Sequence, residues 1–325
     1  MAEKLYVGVD LGGTNICSGL VNENGEVLSR DKRKTLGRVS AEAPVKQIVD
    51  SINDVVLNGG AVFSDIRGIG IGSPGPLSAK EGKILRTTNL PYWINFPITE
   101  KIREQTGINT FLQNDGTCFA YGEWWMGAGR GKNDFFAVTL GTGIGGGAVS
   151  GGTLLTGFND NACEFGHTTI DYNGPQCRCG QKGCLQLYAS ATGIVRMTRE
   201  NLINEHHETS LAVYRTEPEK LSAEAIYTAA CEGDYFARSM FDRAGYILGI
   251  GLVNALNILN YETVVIGGGL ARAGDLIFDP ARRALFERGF MPYNKQVNII
   301  PAERPDDAAI LGAVRIVIDN ENIKG

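Results

Sequence analysis

Hydrophobic positions along this chain change period repeatedly, and the changes fall at glycine- or proline-rich breaks. Residues 5–9 form a short apolar run, paired glycines interrupt it at 10–15, and strand character resumes over 16–20. A second turn at 22–25 precedes Glu26, Val27 and Leu28, so the chain is expected to begin with a three-strand meander. Val45, Ile48, Val49, Ile52, Val55 and Val56 then recur at helical spacing, with Pro44 near the start and Gly59 and Gly60 past the end. A buried strand over 66–71 breaks abruptly at Gly72, Ser73, Pro74, Gly75 and Pro76, where α/β proteins place ligand loops. The strand at 108–112 leads into Gln113, Asn114 and Asp115, and a helix is expected from Thr117 to about Met126. After it, the strand at 135–140 turns back through 141–147 into Ala148 and Val149. Helices are expected over 187–199 and 223–231, joined by a polar stretch, and Asp234 opens a long buried helix reaching about Leu259. Strands at 263–266 and 297–300 precede a last helix carrying Ile310, Leu311, Val314 and Ile318, which Asp306 or Asp307 can cap.

This alternation predicts an α/β protein, and 325 residues suffice for two sizeable cores. The 43 glycines match the many tight turns that the pattern requires. A net charge of −5 gives no electrostatic reason to bind nucleic acid, and Lys32, Arg33 and Lys34 read as a solvated basic face. Strand character begins almost at once, with no cleavable signal ahead of it and no apolar run near the ~20 residues of a membrane span. A cytoplasmic protein is expected. Of the seven cysteines, Cys17, Cys118, Cys163 and Cys231 read as small buried hydrophobes, consistent with a reducing compartment.

The other three cysteines change the picture. His167, Cys177, Cys179 and Cys184 offer one imidazole and three thiols, the donor set of a closed structural zinc site. The bland alternative is a loop of free thiols with a solvated histidine. Gly174, Pro175, Gly180 and Gly183 supply the turns that such close ligands need. Glu164 and Gln186 flank the ligands, where a metal-fixed loop would hold them rigidly. His206 and His207 lie in the polar connection and are expected to face solvent. At the first turn, Gly12 and Gly13 let backbone N–H groups approach a phosphate, Thr14 adds a hydroxyl, and Asp10 can hold Mg²⁺. An ordinary glycine hairpin accounts for that turn equally well. Its architecture recurs at 141–147, with Thr142 beside Gly143, which suggests a duplicated fold whose halves face one nucleotide. Asp115, at a strand end before a helix, is either a cap or a catalytic acid–base group.

Glu-x-Gly-His followed by Cys-x-Cys-Gly-x-x-Gly-Cys-Leu strongly resembles the ROK family of sugar kinases and sugar-responsive repressors. The resemblance runs over essentially the whole chain and implies a two-lobed actin-like ATPase fold, a duplicated ribonuclease-H-like architecture with a zinc-stabilised loop. The implied lobes are 1–114 with about 302–325, and 115–301. Glu164 and His167 would bind sugar hydroxyls, with His167 also on zinc. The residue after Cys-Leu is typically a sugar-binding glutamate; Gln186 stands there, keeping an acceptor and losing a charge, which bears on sugar preference. Asn114 matches a sugar-binding residue and Asp115 the general base. Gly75, Thr88 and Asn89 join the implied sugar contacts, and Tyr92 and Trp93 either wall the pocket or cap the core. Asp10, Gly12, Gly13, Thr14, Asn15, Thr142 and Gly143 would hold the phosphates of ATP, and Gly267, Gly268 and Gly269 the adenosine side. None of these turns follows the Walker pattern.

The resemblance therefore implies phosphoryl transfer from Mg·ATP to a hexose. Glucose is expected, because Thr88, Asn89, Leu90 and Pro91 before two aromatics look like the glucokinase members. N-acetylmannosamine, N-acetylglucosamine, mannose and fructose are the alternatives. A sugar-sensing repressor is the reading from another class; such proteins carry a helix-turn-helix domain, for which the stretch before Asp10 leaves no space. Sugar and ATP are the expected small-molecule partners, with no nucleic acid and no membrane, and family members are commonly dimers or tetramers.

Overall fold

In the computed structural model, which describes residues 3–87, 89–204, 207–290 and 296–322, the chain falls into two compact units. The first comprises Met1–Ala137, Gly147–Cys163 and Ala302–Gly325, and the second Val138–Gly146 and Glu164–Pro301. The expected boundary after Asn114 is not where these units divide. Thr88 and His206 lie outside the described residues.

The first unit is built on the expected meander, β1 (Leu5–Leu11), β2 (Asn15–Asn22) and β3 (Val27–Lys34), paired antiparallel. Strand β1 also pairs in parallel with β4 (Ile66–Ser73), and β4 with β8 (Thr110–Asn114), giving the order β3-β2-β1-β4-β8. Sequence dictates the order of burial. Strands β1 and β4 are nearly continuous apolar runs suited to a sheet covered on both faces, whereas β3 alternates half-buried and exposed positions at the edge. One core gathers Val45, Ile48, Ile52 and Val55 of α1 (Glu42–Asn58), Ile98 and Ile102 of α2 (Ile98–Thr106), and Trp93. Another places Tyr6 and Val21 against Ile310, Leu311, Val314 and Val317 of α9 (Ala308–Asn322). Helix α3 (Asp115–Met126) packs on α9. A small sheet of β5 (Leu77–Ser78), β6 (Lys83–Arg86) and β7 (Ile94–Phe96) completes this unit.

The second sheet comprises β9 (Phe135–Leu140), β10 (Ile144–Ser150), β11 (Thr153–Leu154), β12 (Thr263–Gly267) and β13 (Asn298–Pro301), in the order β11-β10-β9-β12-β13. Counted within each sheet, both orders read third, second, first, fourth, fifth, which is the duplication the repeated glycine turns predict. Helices α4 (Gln186–Ala189), α5 (Ala191–Asn204), α6 (Ala223–Cys231), α7 (Tyr235–Leu259) and α8 (Asp275–Arg288) belong to the second unit. Asp234 caps α7 by accepting from Ala237 N at 3.0 Å, and left-handed Asn260 ends it.

Cys118 is buried as expected, but Cys17 and Cys163 are only half-buried and Cys231 is exposed. His207 does not simply face solvent: its ring stacks on Phe236 with centroids 4.3 Å apart. Trp93 belongs to the core, stacked on Phe96 and donating from Nε1 to Ala41 O at 2.8 Å, while Tyr92 is exposed. Among the described residues no helix is long and apolar enough to cross a membrane.

Candidate active site and metal centre

Strand register assembles the first group of side chains. Asp10 lies opposite Gly72, Gly72 opposite Gln113, and Ser73 opposite Asn114, so the carboxyl ends of three parallel strands bring Asp10, the 73–75 break and Asn114–Asp115 to one sheet edge. Asn114 is the cap of α3: its Oδ1 accepts from Thr117 N at 3.2 Å, leaving Nδ2 for other partners. Helix α3 thus begins at Asp115 instead of Thr117, and Asp115 is relieved of the capping role. Its Oδ1 accepts from Gly116 N at 2.8 Å. Burial holds the Asp115 carboxyl above the ordinary carboxylate range. Asp10 is pushed up to about 7, first by desolvation and then by the nearby Asp115 charge. Two neighbouring carboxyls of raised basicity suit one to accept a proton and the other to meet a cation.

The glycine turn beside Asp10 is braced by the residue just after β3. Thr35 donates its N–H to Thr14 O at 3.0 Å and its hydroxyl to Gly12 O at 2.7 Å, while Gly12 N donates to Asn15 O at 2.9 Å. Gly13 and Thr14 remain exposed at the tip. Asn89 lies against this tip: a Cβ on Gly13 would fall 2.4 Å from Asn89 Nδ2. Lys34, which the sequence pattern assigns only to a basic face, donates to Asn15 Oδ1 at 3.2 Å. Cross-strand register could have found it, since Lys34 sits opposite Asn15.

In the second unit the repeated turn is held by α5, with Ala191 N donating to Gly141 O at 2.9 Å and Thr192 Oγ1 to Thr142 O at 2.7 Å. Thr142 is exposed and Gly143 half-buried. The loop of Gly267, Gly268 and Gly269 abuts the end of β9; Gly268 has φ +89° and a Cβ there would lie 2.6 Å from Leu140 O. Glycine is required at that position on both counts.

Glu164 is exposed and precedes a short 3₁₀ turn, Phe165–His167. The donor atoms of His167, Cys177, Cys179 and Cys184 all lie within 4.8 Å of one another. Cys177 Sγ is 3.8 Å from His167 Nδ1, and Cys179 Sγ is 3.5 Å from Cys184 Sγ. A tetrahedron with metal–sulfur bonds of about 2.3 Å has edges of about 3.8 Å, so the four atoms fit a tetrahedral cation and are too far apart for a disulfide. The charges agree. Burial alone would raise Cys177, but bonds from the Cys179 backbone and the Gln186 amide outweigh it and hold the thiol at about 6. Cys184 is pushed up to about 12 by burial and by the thiols of Cys179 and Cys177. A divalent cation at the centre would resolve that conflict by favouring every thiolate. Gln186, expected to bind sugar, donates from Nε2 to Cys177 Sγ at 3.4 Å, and its Oε1 lies 2.7 Å from where a Cβ of Gly143 would stand. Among the described residues no second such cluster occurs.

The model of the ROK family matches residues 6–320. A glucokinase of Thermotoga maritima is 39% identical over 317 residues, covering 98% of each chain. Another, from Halalkalibacterium halodurans, is 36% identical and covers 99% of this chain and 97% of its own. Among solved structures, a ROK family glucokinase from Streptomyces griseus in complex with glucose and AMPPNP superimposes with a TM-score of 0.83 at 30% identity, covering 97% of this chain and 99% of that one.

Proposed function

The chain belongs to the ROK family, and on that footing we propose that it is an ATP-dependent hexokinase-type phosphotransferase that converts glucose to glucose 6-phosphate. The observation that carries this reading is the end-to-end likeness to glucokinases, at 39% identity over 98% of the chain. The local chemistry supports it.

Asp115 is the general base. Its raised basicity suits it to take the proton from a sugar hydroxyl as that oxygen attacks the γ-phosphorus. In the first unit Gly75, Thr88, Asn89 and Asn114 serve the sugar, and Gly12, Gly13, Thr14 and Asn15 the phosphates. In the second, Glu164 and His167 serve the sugar, Thr142 and Gly143 the phosphates, and Gly267, Gly268 and Gly269 the adenosine. Asp10 would hold Mg²⁺, which when bound supplies charge neutralisation on the phosphates. His167, Cys177, Cys179 and Cys184 would hold Zn²⁺, which when bound supplies a rigid tie for their loop. Because His167 turns Nδ1 toward Cys177, its other ring nitrogen is left for a hydroxyl. Gln186 serves as a donor to Cys177, which orients the loop next to the sugar-binding histidine.

A coupled ADP-release assay with Mg·ATP tests the reading against glucose, mannose, fructose, N-acetylglucosamine and N-acetylmannosamine. Glucose is expected to give the highest kcat/KM. A preference for another sugar would reassign the substrate, and no turnover with any sugar would overturn the kinase reading.

A further inference from the structure

The loop at 157–163 grips β5 and the residues just after it, through contacts no sequence motif announces. Asn161 engages both backbone groups of Leu77: Leu77 N donates to its Oδ1 at 3.0 Å, and its Nδ2 donates to Leu77 O at 2.9 Å. The same amide donates to Asn159 O at 2.5 Å. Asparagine mimics an adjoining strand here, since its amide offers one donor and one acceptor side by side; aspartate would meet two carbonyls with no N–H to give. Asp160 adds a second grip, its Oδ2 accepting from Ala79 N at 3.1 Å and Lys80 N at 3.4 Å. The chain tolerates a left-handed Asp160, φ +64°, to keep it there.

The grip is aimed at Gly75. The point where a Gly75 Cβ would stand lies 3.5 Å from Asn161 Oδ1 and 3.7 Å from Asn114 Nδ2. One lone pair of Asn161 Oδ1 is committed to Leu77, so its second lone pair and the Asn114 amide protons border the same small space beside Gly75. Donor and acceptor together are what a sugar hydroxyl needs.

We infer that Asn161 helps to hold the hexose, fixing the Gly75 turn against the Asn114 amide and offering its own Oδ1 as acceptor beside that donor to one sugar hydroxyl. The inference rests on the kinase reading. It extends the sugar-binding residues to the loop at 157–163, with Asp160 as that loop's second anchor.

Steady-state kinetics of wild type, Asn161→Ala and Asp160→Gly, with thermal melts of each, test it. Asn161→Ala is expected to raise KM for glucose about tenfold or more, with kcat within about threefold and KM for ATP unchanged. Asp160→Gly removes the second grip while relieving the left-handed strain, so it keeps or raises the melting temperature yet raises KM for glucose by about threefold. If Asn161→Ala fails to fold, Asp160→Gly alone decides. A purely structural role would lower the melting temperature and kcat while leaving KM for glucose untouched, and that result overturns the inference. Wild-type protein inactive on every hexose defeats the kinase reading and this inference with it; active wild type with unchanged KM in both variants defeats the inference alone.

Discussion

Asp10 and Asp115 show how burial becomes chemistry at single residues. Burial raises the basicity of both carboxyls, and the Asp115 charge raises Asp10 further. The consequences for activity and stability have opposite signs. A general base works ionised, so kcat/KM is full above the raised pKa and is lost as pH falls through it. Stability runs the other way: the raised Asp10 pKa contributes stability that is complete below its ordinary value and lost as pH rises through about 7. Metal-free Asp10→Asn is therefore expected to melt above wild type at pH 8, with the advantage vanishing near pH 4 while turnover falls sharply. Thermal unfolding at the two pH values checks this, and an advantage of equal size at both would refute the assignment of strain to the ionised carboxyl. Legibility at this scale followed chain distance. The cysteine cluster, the glycine turns and Asn114–Asp115 are local patterns that the sequence displays directly. Asn161 touching Leu77, Lys34 touching Asn15 and Gln186 turned toward Cys177 depend on register and loop closure, which local spacing does not encode.

Among the elements, α3 carries the heaviest obligations. Its first residue is the proposed base, and near its other end Glu123 is fully buried, accepting from Ala128 N at 2.9 Å, Glu303 N at 3.1 Å and Arg304 N at 2.7 Å. This carboxylate satisfies the helix exit and the approach to α9 together. Glu123→Ala leaves three backbone donors without it and is expected to cost about 3–5 kcal/mol in urea unfolding, with Glu123→Gln losing about half as much. A loss under about 1 kcal/mol would show that water replaces the carboxylate easily. Nothing in the amphipathic pattern of α3 marks Glu123, because its partners arrive from residues 303–304. Trp93 was ambiguous for the related reason that an aromatic beside a turn reads alike whether it lines a pocket or, as here, fills a core. The metal loop makes the other element-scale prediction. Cys184→Ser, or zinc removal by a chelator, is expected to weaken glucose binding by about tenfold or more in calorimetry, because the loop that carries His167 loses its tie. Active protein free of zinc by metal analysis would contradict that.

For the whole molecule, the same strand order appears in two sheets, each with a glycine turn between its first and second strands. Repetition of those turns in the sequence carries the duplication, whereas the unit boundaries are not legible there. They follow the packing of α3 on α9, a contact between segments almost two hundred residues apart that periodicity cannot report. The kinase account draws on residues of both units, and its central claim is that Asp115 performs proton transfer and does not merely hold sugar. Single-turnover phosphoryl transfer by Asp115→Ala, alongside its glucose affinity by calorimetry, tests that most directly. The account predicts a rate lower by ~10²–10⁴ with affinity within about tenfold of wild type. A variant that transfers phosphate at more than a few tens of per cent of the wild-type rate would contradict it.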